Sequence, residues 1–113
     1  MKNIILTIAL FALIPVFLMA DPPKKVIATY SKENNKLKIV AEHPVKDVAD
    51  HYIDQITISV DGKEVKVIKP KKQSSLQSET DEVNIPEIKK GSKVEVKARC
   101  NEFGSKKTEI TIL

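Results

Sequence analysis

The stretch Asp54–Lys69, DQITISVDGKEVKVIK, decides the fold. Ile56, Ile58 and Val60 alternate with Gln55, Thr57 and Ser59, the period-2 pattern of a half-buried strand. Asp61-Gly62 follows at once. Asp-Gly between two alternating runs signals a two-residue hairpin, because that turn needs positive φ at both central positions. Glu64 to Lys69 reads as the return strand, with Val65 and Val67 on one face and Ile68 opposite. Ile53 is out of phase with Ile56, which predicts a bulge or face switch near Asp54.

The same alternation extends outward in both directions. Upstream, Lys36-Leu37-Lys38-Ile39-Val40-Ala41 turns Leu37, Ile39 and Ala41 inward, and Pro44 ends that element by restricting His43 and removing a donor. Asn34-Asn35 marks a turn before it, and Val26 to Tyr30 reads as an edge strand after the extended lead-in from Asp21. Lys46 to Asp50 is a short polar loop. Downstream, Pro70 to Ser78 reads as a lysine-rich loop and Glu79 to Ile85 as a weaker strand. Lys93 to Cys100 places Val94, Val96, Ala98 and Cys100 on one face, and Lys106 to Leu113 closes the chain with Thr108, Ile110 and Ile112 on one face. Seven short strands at roughly ten-residue spacing, without a long helical period, predict an all-β fold, an antiparallel sandwich. Ile56, Ile58, Val94, Val96, Ile110 and Ile112 are its expected core.

Residues 1–20 have the order of a secretory signal peptide: Lys2, an apolar run from Ile4 to Leu18 broken only by Thr7, then Met19-Ala20 ahead of Asp21-Pro22-Pro23-Lys24-Lys25. Export to the periplasm or outside the cell, with cleavage near Ala20, is the expectation, and a retained membrane anchor is its rival. Removing the first 20 of 113 residues leaves 93, enough for one domain, residues 21–113, with a modest core. Net charge falls from +4 to +3, since Lys2 is the one charged residue removed. The lysines mostly alternate with apolar residues, as on the wet face of strands. Few aromatics, Arg99 as the single arginine, and export exclude nucleic acid as a partner.

His43, His51 and Cys100 are the chain's entire supply of histidine and cysteine. A lone cysteine makes no intrachain disulfide; in an exported domain it is an inert core thiol, a bridge to another chain, or a metal thiolate. His43 ends one strand, His51 precedes the next, and Cys100 ends the penultimate one. A sandwich gathers strand ends at two poles, so all three can meet. A Cys-His₂ set suits iron, zinc or copper, and ligand chemistry alone does not choose among them. The bland alternative is a core thiol with two ordinary loop histidines.

His43-Pro44, His51-Tyr52-Ile53, Asp61-Gly62, and Cys100-Asn101 followed by Gly104 together resemble the iron domain of the superoxide reductase family, the neelaredoxin and desulfoferrodoxin group. The resemblance spans residues 24 to 113. It implies an immunoglobulin-like seven-stranded sandwich and a ferrous centre with four equatorial histidines, an axial cysteine and an open position for superoxide. Carried over, His43 and His51 match two of the histidines and Cys100 the axial thiolate. Phe103 stands where the family has a histidine before the glycine, and there it would wall off one position. Lysine replaces another histidine near Lys24-Lys25, a pair that would supply positive charge to steer anions toward the mouth. Two of the five ligands are thus lost. The resulting expectation is an exported superoxide reductase-like domain with a degenerate iron site. Its alternatives are a non-catalytic accessory module of sulfur-carrier type without metal, and an active superoxide reductase. The expected partners are a small molecule or a redox protein, with a homo-oligomer left open.

Overall fold

Seven strands form in the order β1 (Lys25–Ser31), β2 (Lys36–Glu42), β3 (Ile53–Val60), β4 (Lys63–Ile68), β5 (Ser78–Asn84), β6 (Lys93–Cys100) and β7 (Ser105–Thr111). The computed structural model describes residues 21–113, and the expected signal peptide, residues 1–20, lies outside them. The strands make a three-stranded sheet, β1-β2-β5, and a four-stranded sheet, β4-β3-β6-β7. Every pairing is antiparallel. This is the immunoglobulin-like sandwich, with one hydrophobic core between two sheets.

The alternation explains which faces meet. Leu37, Ile39 and Ala41 from β2 face Ile56 and Ile58 from β3 and Val94, Val96 and Ala98 from β6, and all are fully buried. Ile112 is buried as expected, while Ile110 on edge strand β7 is only partly covered. The Asp61-Gly62 hairpin has φ of 51° and 84°, the double positive pair that such a turn requires.

Two irregularities shape the sheet. Between Ile53 and Gln55 the β3–β6 register shifts, as the phase change at Ile53 predicts. Asp54 is the extra residue, and it turns outward to bind Arg99 in a two-pronged contact of 3.0 and 3.2 Å. The bulge lets Ile53 stay buried opposite Cys100 while Ile56 also points inward. A second shift lies between Ile58 and Ser59, against β4. It changes the expected facing of the return strand: Val65 and Ile68 both pack on the core, whereas strict alternation separates them.

Candidate metal centre

The C-terminal end of β2, the entry to β3 and the C-terminal end of β6 meet at one pole. His43 directly follows β2, His51 lies two residues before β3, and Cys100 is the last residue of β6. Their ligand atoms all lie within 4.8 Å of one another. His51 Nε2 is 3.0 Å from Cys100 Sγ, and the two imidazoles meet edge to face with centroids 4.6 Å apart. The sequence-predicted trio is brought together.

Local chemistry fixes each member. His51 is held by its loop: its N–H donates to Asp47 O, and Asn101 staples the loop to β6. Asn101 Oδ1 accepts the Tyr52 N–H at 2.9 Å, its Nδ2 donates to Asp50 O at 3.1 Å, and its own N–H donates to Tyr52 O. Cys100 Sγ is buried and accepts the main-chain N–H groups of Glu102 at 3.4 Å and Phe103 at 3.5 Å. Such donors to a sulfur tune a metal thiolate.

His43 is fully buried, and its orientation depends on Gln73. Gln73 Nε2 donates to the carbonyls of His43 and Ser75 at 2.7 and 3.0 Å, which fixes the side-chain amide. Gln73 Oε1 is therefore an acceptor. It receives the Ile53 N–H at 3.2 Å and faces His43 Nδ1 at 2.8 Å, so Nδ1 carries a hydrogen. His43 Nε2 then faces the carbonyl oxygen of Asp21 at 3.0 Å. A carbonyl only accepts. A neutral imidazole with its hydrogen on Nδ1 presents a lone pair to a lone pair, and a metal ion between them removes the conflict. A histidine oriented through Nδ1 by a fixed amide oxygen, in a cluster whose potential ligand atoms lie within 4.8 Å of one another, has the arrangement of a metal ligand.

Donors on one ion of this type lie roughly 2.8–3.7 Å apart, for angles from 90° to tetrahedral and metal–nitrogen and metal–sulfur bonds near 2.0 and 2.3 Å. The observed spread, 3.0 Å for His51–Cys100 and at most 4.8 Å overall, is within small side-chain movements of that spacing. The residues fit a metal ion.

Phe103 is 62% exposed, and its main-chain N–H lies 3.5 Å from Cys100 Sγ. The cleft beside His51, about 550 Å³, is lined by Asp21, Asp47, Asp50 and Glu102 with Lys46. Lys24 and Lys25 are exposed at the start of β1, and neither lines it. Gln73 and Asp21 were missed as site residues, because the first sits in a loop without periodicity and the second in the extended lead-in. Pro22-Pro23 was the one available signal that the lead-in has a fixed path.

No protein-family model, curated protein or solved structure matches this chain. Fold and site together define its class: a small immunoglobulin-like sandwich with an incomplete His-His-Cys donor cluster at one pole.

Proposed function

We propose that this chain is an exported metal-binding sandwich, superoxide reductase-like in fold and donor set, that holds one ion through His43 Nε2, His51 Nε2 and Cys100 Sγ. The observation that carries the reading is the convergence of three soft-to-borderline donors, from three separate strand ends, within 4.8 Å. Iron is the metal the resemblance favours; zinc and copper suit the same donors. Iron, when bound, supplies one-electron chemistry. The chain's own residues hold and orient it: Gln73 sets the His43 tautomer, Asn101 sets the His51 loop, and two main-chain N–H groups steady the sulfur.

Binding without efficient superoxide turnover is the expected behaviour. The chain has two histidines in all, against the four of the family it resembles. The cleft is lined by four carboxylate residues and one lysine, a field that draws cations rather than a small anion. Anaerobic titration with Fe²⁺, Zn²⁺ and Cu⁺ tests the reading, followed by a superoxide assay on the iron form. Fast superoxide turnover would instead establish the active reductase. Cleavage after Ala20, the exported location, and service to a small molecule or redox partner belong to the same proposal; mass spectrometry of protein recovered from cells tests the cleavage.

A second reading, an accessory module that has lost its metal, is favoured by the partners each donor already has. His51 and Cys100 contact each other, and His43 contacts Gln73 and Asp21. Absence of binding to all three metals would select it.

A further inference from the structure

Asp21 lies where the expected leader ends, and its carbonyl oxygen is 3.0 Å from His43 Nε2. Three contacts deliver it there. The Lys24 N–H donates to Glu42 O at 2.8 Å, which extends the β1–β2 ladder by one bond. Pro23 is buried. Pro22 is seated against Gly104, in the turn after Cys100, so closely that a Cβ at Gly104 would stand 2.6 Å from Pro22 Cβ. The lead-in is therefore pinned up to its first residue, and Asp21 lines the cleft beside His51.

We propose that cleavage after Ala20 completes the metal site, with the released α-amine and the carbonyl oxygen of Asp21 binding the ion as a chelating pair beside His43. The inference rests on the metal-binding reading above and adds to it a further ligand and a trigger. In the uncleaved chain the Asp21 nitrogen is a peptide amide, its lone pair delocalised into the neighbouring carbonyl and poor as a ligand. Hydrolysis of the Ala20–Asp21 bond adds water across it, leaving a carboxylate on Ala20 and a basic amine on Asp21. Pro22 then has a second effect. A residue before proline is held at ψ of about 120–160°. That range puts the nitrogen and carbonyl oxygen of Asp21 on the same side of the Cα–C bond, as a five-membered ring with a metal requires. Two ligands at right angles on one ion stand roughly 2.8–3.0 Å apart. The observed 3.0 Å between His43 Nε2 and Asp21 O matches that spacing. The ion would also sit between the two lone pairs that otherwise face each other at His43 Nε2 and Asp21 O. Metal loading would thus follow export.

The test compares three forms of the chain from Asp21 onward: a free α-amine, an acetylated one, and one carrying a Gly-Ser extension. Chelator competition with Zn²⁺, and with Fe²⁺ under anaerobic conditions, reads the affinity. Circular dichroism and urea midpoints without metal check that the three are equally folded. The free amine should bind about tenfold tighter or more than either blocked form, as two linked donors gain over one. Asp21→Ala, which keeps the amine and the carbonyl, should retain the tight binding; its loss would move the role to the carboxylate and overturn the main-chain chelate. Equal binding by all three forms, abolished by Cys100→Ala, would overturn this proposal and leave the three-donor site standing. No binding by any form would overturn both.

Discussion

Gln73 meets four polar groups with one side chain: the His43 ring, the His43 carbonyl, the Ser75 carbonyl and the Ile53 N–H. Gln73→Leu keeps the volume and leaves these groups without a partner in a buried setting, where each orphan costs about 1–3 kcal/mol. The expected result is a lower urea midpoint and, with the His43 tautomer released, metal affinity reduced by about 10–100-fold. An unchanged affinity would show that Gln73 supports the loop alone. Glu79 on β5 gives a second prediction at this scale. Burial, then the hydrogen bond and the charge of Asp81, raise its carboxyl from 4.5 to about 8, while Ser74 opposes the shift. The folded state therefore favours the protonated acid. Its contribution is fully present below pH 4.5 and is lost as pH rises through about 8. Glu79→Gln, which can accept from the Ser74 N–H and donate toward Asp81 as the acid does, should flatten stability across that window in pH-resolved urea unfolding. The same pH dependence in both proteins would refute the assignment.

At the scale of elements, the turn between β6 and β7 does three things at once. It aims two N–H groups at Cys100 Sγ, closes through the Cys100 N–H to Gly104 O, and seats Pro22. Gly104 has φ of 81°, and a side chain there would also collide with Pro22. Gly104→Ala should cost on the order of 1–3 kcal/mol from the backbone conformation. It should also move Asp21 away from His43, so that metal binding weakens more than in Gly62→Ala, where positive φ is shared but a Cβ meets nothing within 4 Å. Equal metal affinity in the two variants would detach Pro22 from the site. The strands themselves were legible because period 2 needs only local sequence: the alternation at Leu37–Ala41 and Val94–Cys100 and the phase slip at Ile53 all translate directly into faces. The trio was legible because strand ends must gather at a pole. Gln73 was not, since burial of a loop residue is decided by what folds over it and leaves no period. The second shift in register, opposite Ile58, was hidden because Val65 and Val67 alternate as if the strand were regular.

At the scale of the whole molecule, the donors join the two sheets. His43 comes from the end of β2 in the three-stranded sheet, whereas His51 and Cys100 flank β3 and β6 of the other. In a small sandwich whose single cysteine can form no intrachain disulfide, an ion at that pole would tie the layers together much as an inter-sheet disulfide does. Binding to the folded state alone stabilises it by about 2.7 kcal/mol when free metal is a hundred times the dissociation constant. For a domain of this size, each kcal/mol moves the thermal midpoint by about 4–8 °C, so saturation should raise Tm by roughly 10–20 °C. A chelator should reverse the rise. Acid should do so too, because both imidazoles and the thiol must be deprotonated to bind. Cys100→Ala and His51→Ala should melt without any metal-dependent rise while keeping the β-rich circular dichroism of the parent. A metal-dependent rise that survives Cys100→Ala would place the ion elsewhere on the molecule. No rise with Fe²⁺, Zn²⁺ or Cu⁺ would leave a sandwich whose sheets are held by their core alone, with His51 and Cys100 serving only each other.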